Sequence, residues 1–197
     1  MIIYGAGGHA HVVIDIIETI GKKIDFIVDD NPEIDEELGY KVLRPQKYYD
    51  EAIIAIGDCE NRKQVAETIK VGSYPTLVHP SAIVSKYAVI GGGSVVVQGA
   101  IVQSCARVGR HCIVNTGSSV GHDALLEDFV HVASHATILG NVTVGECSWI
   151  GAGAVVCQGV HIGKNVMIGA GSVVTHDIPD NVTAYGNPCE VKHINPL

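Results

Sequence analysis

From Val84 to Val174 every sixth residue is Val, Ile or Leu, without a miss. The series runs through Ile90, Val96, Val102, Val108, Val114, Val120, Leu126, Val132, Ile138, Val144, Ile150, Val156, Ile162 and Ile168. So strict a short period marks a solenoid, in which each repeat buries its apolar side against the next. Two residues before each member the side chain is small or Val, as at Ala82, Ala100, Cys112, Ser118, Ala136, Val160 and Ser172. The residue after it is often Gly or Asn, as at Gly91, Gly109, Asn115, Gly121, Gly145, Gly151, Gly163 and Gly169. This reads as one short strand per six residues, two inward side chains per strand, and a left-handed backbone position at each corner. Three strands close a triangular coil of about eighteen residues, and coils stack at roughly 4.8 Å.

The first eighty residues follow a different rule. Ile2-Ile3-Tyr4 reads as a buried strand running into Gly5-Ala6-Gly7-Gly8-His9-Ala10. A helix follows, with Val12, Val13, Ile16, Ile17 and Ile20 on one face and Gly21 at its end. Further strands are expected at Ile24 to Val28, stopping at Asp29-Asp30, and at Ala52 to Ile56, ending in Gly57-Asp58. A second helix is expected from Asn61 to Lys70, and a short strand at Thr76 to Val78 before the solenoid. The alternation implies a small parallel, Rossmann-like sheet with ligands at the carboxyl ends of its strands. The expected division is an α/β domain over residues 1–79 and a solenoid domain with a polar C-terminal tail over residues 80–197.

The segment Gly5-x-Gly7-x-x-Ala10 has the spacing of a dinucleotide turn, with an acid about twenty residues later. Glycines there let backbone approach phosphate, and a helix N-terminus offers free N–H groups. Eighty residues are half a dinucleotide fold, so a nucleotide-sugar fits better than NAD: diphosphate at Gly5, Gly7, Gly8 and His9, uracil or ribose near Asp29-Asp30. Gly57, Asp58 and Arg62 are candidate partners of the phosphates. Asp29-Asp30 could equally cap a strand end, and Arg62 could lie on a solvated face. The net charge of −8 argues against a nucleic-acid partner. No apolar stretch approaches a membrane span, so a cytoplasmic protein without membrane contact is expected. Six cysteines without a CxxC pair suit packed or surface thiols better than a zinc or disulfide framework.

The six-residue pattern resembles the hexapeptide-repeat proteins, whose fold is the left-handed parallel β-helix and which are mostly CoA-dependent acyltransferases working as trimers. Joined to a truncated nucleotide-binding domain, it resembles the bacterial sugar O/N-acetyltransferases. These acetylate nucleotide-linked amino sugars for glycans, or sialic acids. The resemblance runs from Ile3-Tyr4-Gly5-Ala6-Gly7-Gly8-His9 through Val28-Asp29-Asp30 and Ala55-Ile56-Gly57-Asp58 to Gly186-Asn187-Pro188. It implies acetyl-CoA as co-substrate, no metal, a homotrimer, and a catalytic stretch at Asn115-Thr-Gly-Ser-Ser-Val-Gly-His122-Asp123. His122 would be the general base and Asp123 its orienting acid.

Column arithmetic points the same way. His122 lies just beyond a corner, and one coil of about eighteen residues later stands Gly140, roughly 4.8 Å above it. An unshielded amide there could bind a thioester oxygen. The column Thr116, Ser134, Ala152, Ala170 is small enough for a pantetheine arm. The cofactor cleft is therefore expected between the His122 and Ala152 columns of adjoining protomers. The column Glu127-Asp128, Glu146, Lys164 reads as solvated. His131 is expected outward on a flat face, able to touch substrate, and Asn115 at a left-handed corner. His135, His161 and His176 read as surface or cofactor-edge residues. Two rival readings remain. One is a gamma-carbonic-anhydrase-like zinc hydratase using His122, His131 and His135; the other is a non-catalytic nucleotide-sugar scaffold.

Overall fold

The computed structural model describes residues 1–195. The N-terminal part runs β1 (Ile2–Tyr4), α1 (Gly8–Thr19), β2 (Phe26–Val28), β3 (Glu36–Glu37), β4 (Tyr40–Leu43), β5 (Tyr48–Ile54), α2 (Cys59–Thr68) and β6 (Lys70–Ser73). Its sheet has the order β3-β4-β2-β1-β5-β6 and is parallel except for the β3–β4 pair. Both faces of β1 are covered, so it reads as an unbroken apolar run. Ile3 joins the cluster with Val13, Ile16 and Ile17 of α1. Ile2 and Tyr4 face Val65 and Ile69. The chain turns one way from β1 to β2 and the other way to β5, leaving a crevice beyond Tyr4 and Ile54.

Strands β3, β4 and β6 lie outside the sequence expectation. The β3–β4 hairpin turns on Leu38 and Gly39, both at positive φ. Its short, charged strands carry no apolar alternation to announce them. The helix expected to reach Lys70 ends at Thr68, and Lys70 begins the edge strand β6.

Then the left-handed parallel β-helix begins. β7 (Leu77–Val78), β8 (Ile83–Val84) and β9 (Val89–Ile90) form its first coil, and a two-residue strand recurs every six residues to β23 (Val173–Val174). Leu77–Val78 does not precede the solenoid: it pairs with Val95–Val96 as the first rung of one face. That face continues through Ile113, His131, Trp149 and Met167. A second face carries Ile83, Ile101, Ser119, Thr137, Val155 and Val173, and a third Val89, Arg107, Leu125, Thr143 and His161. The two inward slots fill the prism: Val114, Val120, Leu126 and Val132 are fully buried, as are Ala100, Ala106, Cys112 and Ala136. Inward serines satisfy backbone: Ser148 Oγ donates to Gly163 O at 2.7 Å and accepts from Val166 N at 3.0 Å.

The corners correct one expectation. The left-handed residue is the third after each aliphatic, not the first: Gly117, Asp123, Phe129, His135, Asn141 and Cys147 all have φ near +60°. The glycines directly after the aliphatics are there for room. A Cβ on Gly145 would lie 2.6 Å from the Gly163 carbonyl carbon, and one on Gly121 2.6 Å from that of Leu139. Stacked coils approach too closely at that point for a side chain. We call the corner of His111, Phe129 and Cys147 corner A, that of Gly117, His135 and Gly153 corner B, and that of Cys105, Asp123 and Asn141 corner C. The expected polar tail is instead a hairpin, β24 (Val182–Gly186) and β25 (Cys189–Ile194), which extends the first face.

Candidate active site

Corner C carries the pair that the sequence singled out. His122 Nδ1 lies 2.8 Å from Asp123 Oδ2, and both side chains are 52% exposed. Asp123 reaches its own neighbour because its backbone is left-handed, φ 59°, a conformation that short polar residues tolerate. The imidazole packs beneath the next coil: a Cβ on Gly140 would sit 2.5 Å from Nε2 and 2.6 Å from Cε1. Only glycine leaves space for the ring. At three coils of corner A the N–H at this point is taken by a carboxylate. Arg110 N donates to Asp128 Oδ1, Glu146 N to Glu127 Oε2 and Lys164 N to Asp180 Oδ1. The Gly140 N–H has no acceptor among the described residues. An imidazole with its far nitrogen bare and an open amide therefore share one edge.

The charged column at corner A is less free than its sequence suggests. Lys63 of α2 reaches Glu146 at 3.1 Å, and Lys164 reaches Glu127 at 3.3 Å. Arg62 is the larger correction. It is 1% exposed and touches no solvent where phosphate could bind. Nε donates to His111 O (2.8 Å) and Nη2 to Phe129 O (2.7 Å), both corner A carbonyls. Nη1 donates to Ile56 O and Gly57 O at 2.8 and 2.9 Å. The guanidinium is a clamp between the turn after β5 and two coils of the β-helix.

His131 is likewise not on an open face. It is 4% exposed, with Nδ1 3.1 Å from Gly57 O and Nε2 3.2 Å from Asn115 Nδ2. A carbonyl can only accept, so Nδ1 carries the proton and Nε2 accepts from the Asn115 amide. Burial, with the Arg62 charge second, lowers its pKa to about 3. Asn115 does not have positive φ; its Oδ1 instead accepts from Thr116 N at 2.8 Å. Trp149, whose ring lies 4.0 Å from that of His131, was missed. It stands one coil after residue 131, so the eighteen-residue arithmetic used for corners would have found it on the face.

At the α/β end, Gly5 is required by geometry: its φ is +109°, and a Cβ there would sit 2.9 Å from Ala55 O. Gly7, Gly8 and Gly57 differ: nothing lies within 4 Å of where a Cβ would be. Their glycines leave backbone open to an approaching group. The start of α1 has no side-chain cap and no acid in its first turn. Asp58, by contrast, caps α2 through Asn61 N at 2.9 Å. Asp29 is also engaged, accepting from Ala6 N (2.7 Å) and Asn31 N (2.8 Å), which is the strand-end cap of the two readings. Asp30 is exposed and lines a cavity of about 550 Å³ with Tyr4, Lys47, Ile56, Asn61 and Gln64 at the carboxyl ends of β1 and β5. Burial, with Asp30 next, raises the Tyr4 phenol to about 12. His9 Nε2 is buried without a partner among the described residues. Burial, then Arg62, lowers the His9 pKa to about 4.

One chain does not bring all these together. The N-terminal domain packs on the first face, opposite corner C. Ala152 and Ala170 are exposed at corner B, separated from His122 by the second face. His122, His131 and His135 occupy corner C, the buried first face and corner B, so as three zinc ligands they do not converge. Among the described residues there is no group of three metal-ligating side chains. No helix there is long and apolar enough to cross a membrane.

Known proteins match this architecture from end to end. Residues 1–69 match the PglD N-terminal domain family, and residues 141–176 the bacterial transferase hexapeptide family (six repeats). One solved structure is a histidine-to-asparagine mutant of perosamine N-acetyltransferase from Caulobacter crescentus in complex with CoA and GDP-perosamine. It superposes with a TM-score of 0.92 at 33% identity, covering 98% of this chain and 96% of that one. The acetyltransferase domain of PglB from Neisseria gonorrhoeae FA1090 gives 0.89 at 35% identity, covering 97% and 98%. The chain belongs to the hexapeptide-repeat sugar acetyltransferases. Its match to UDP-N-acetylbacillosamine N-acetyltransferase of Bacillus subtilis (strain 168) is 40% identical over 107 residues, 48% of this chain and about half, 50%, of that protein.

Proposed function

We propose that the chain transfers an acetyl group from acetyl-CoA to the amine of a nucleotide-linked 4-amino sugar, as a cytoplasmic homotrimer supplying glycan synthesis. The observation that carries this reading is the His122–Asp123 pair beneath Gly140. Asp123 accepts a hydrogen bond from Nδ1–H, which keeps the proton on that nitrogen and leaves Nε2 as the basic one. His122 then takes a proton from the amine as its nitrogen bonds to the thioester carbonyl carbon. Negative charge gathers on the carbonyl oxygen, where the free Gly140 N–H can donate to it. As the C–S bond breaks, the His122 imidazolium returns its proton to the departing thiolate. No covalent enzyme intermediate is needed when the amine is held against the thioester.

The uncapped start of α1, with Gly7, Gly8 and the unpartnered His9 Nε2, suits the diphosphate, and the cavity at Asp30 suits the nucleoside. Because His122 lies across the prism from this domain, the sugar of one chain reaches an imidazole only on a neighbour. Ala152 and Ala170 at corner B would face that neighbour and admit the pantetheine. Asn115, held by His131, stands at the same corner.

Thiol-release assays with acetyl-CoA against UDP-, GDP- and dTDP-4-amino sugars test the reading, with sialic acid as the O-acetylation control. Turnover with a nucleotide amino sugar should fall about 100-fold or more in His122→Ala. An unchanged rate would remove the imidazole as base, and a monomer in sedimentation would remove the shared site.

A further inference from the structure

Beside corner A lies a cavity that none of this chemistry uses. It has a volume of about 470 Å³ and opens between the start of α2 and the late coils of the first face. Its floor is apolar: the Trp149 indole, half-buried, and Met167, 41% exposed. One wall is a set of three side-chain amides. Asn165 Nδ2 donates to Asn181 Oδ1 at 3.0 Å, and Asn195 Nδ2 donates to Asn165 O at 3.1 Å. Those bonds leave the Asn165 oxygen and the Asn181 NH₂ to be matched by something else. The left-handed backbone accounts for Asn at 165 and 181, while Asn195 is tied down by Thr183 Oγ1, which donates to its Oδ1 at 2.8 Å, so only its second amide hydrogen faces the cavity free. The cavity is also lined by two acidic residues, Asp58 and Glu60.

An aromatic floor takes the C–H face of a ring, while planar amides and carboxylates read hydroxyl groups at its edge. Among the described residues no lysine or arginine lines the cavity. A phosphate would meet carboxylates and no cation there, so a nucleotide is disfavoured. The geometry points to a second carbohydrate subsite, taking one or two unphosphorylated pyranose units, set apart from the reacting edge at corner C. Such a subsite does not depend on the acetyl transfer proposed above.

Trp149 is the chain's single tryptophan, so its emission reports this cavity and the His131 ring beside it, and nothing else. The full chain is titrated with methyl glucoside, N-acetylglucosamine and its β1,4-dimer, up to about 100 mM to reach millimolar affinities. At least one should give a saturable shift in emission. Asn195→Ala and Glu60→Gln should each weaken it about tenfold or more while acetyl transfer proceeds at the wild-type rate. Trp149→Phe should lose the optical signal but keep saturation-transfer NMR contacts to the sugar. No saturable shift with any of the three sugars would overturn the subsite. So would a shift indifferent to both variants, or one abolished competitively by the nucleotide amino sugar. The assay of transfer is separate, so failure here leaves the enzyme reading standing and failure there leaves this one.

Discussion

Corners A and C are built from the same repeat but are finished in opposite ways. At corner A, the main-chain N–H groups of Arg110, Glu146 and Lys164 meet carboxylates, the carbonyls of His111 and Phe129 meet Arg62, and helix α2 lies across the edge. At corner C the same kind of N–H, on Gly140, is left open above an exposed imidazole. A solenoid has no shortage of identical sites. At the proposed reacting edge an amide and an imidazole nitrogen are left over, whereas at the joint most of the same capacity goes to α2 and its arginine.

The sharpest way to break this contrast is to exchange one residue at each corner. His122→Ala at corner C should lower kcat about 10²- to 10⁴-fold while leaving the melting temperature within about a degree. Arg62→Met at corner A should do the reverse. It removes the charged donor from the carbonyls of Ile56, Gly57, His111 and Phe129 and should destabilise the N-terminal domain, at about 1–3 kcal/mol for each buried acceptor left unsatisfied. Calorimetry should then resolve an early transition, with exchange of the β1 and β5 amides preceding that of the coils. A single transition at the wild-type temperature would contradict the clamp.

Acid should find the seam next. His9, His111 and His131 sit around Arg62 with pKa values lowered from 6.5 to about 4, 4 and 3, chiefly by burial. All three are neutral when folded, and the unfolded chain binds more protons below pH 6.5. Stability is therefore full above that value and falls as pH drops toward 4, by up to about 1.4 kcal/mol per unit per histidine. Denaturant melts at pH 7, 6 and 5 measure the slope; a flat profile would mean that the three histidines take up protons as readily in the folded chain as in the unfolded one. The smallest effect separates the two kinds of glycine. Gly145→Ala, pressed against the next coil, should lose about 1–3 kcal/mol, and Gly153→Ala, with φ +66° and open space, nearer 1 kcal/mol.

The solenoid, its inward residues and the stacking of Gly140 on His122 were legible in the sequence because the repeat makes position a matter of counting. The α/β part was legible only where burial imposed a pattern. β1 and α1 announced themselves; the charged β3–β4 hairpin and the edge strand β6 did not. Contacts between the two parts were out of reach. Nothing local to Arg62 says that it will bind carbonyls forty-nine and sixty-seven residues away. His131 alternates with inward Val130 and Val132 and so reads as outward, which it is, but outward into a neighbouring domain. Asp29 and Asp58 have the right chemistry for ligands, and their oxygens are occupied by nearby amides instead.

The Arg62 bonds also say something about how such a chain can change over generations. Every acceptor is a peptide carbonyl, so no particular side chain is demanded at residues 111 or 129 for this contact to persist. For the arginine contact the host side chains can drift, while His131, Glu146 and the apolar cluster of Leu77, Val95 and Val97 carry the side-chain-specific part of the joint. Grafting this head onto an unrelated triangular prism would, on that ground, get the arginine bonds from any prism of the same backbone, and would need the apolar patch and the His131 position rebuilt.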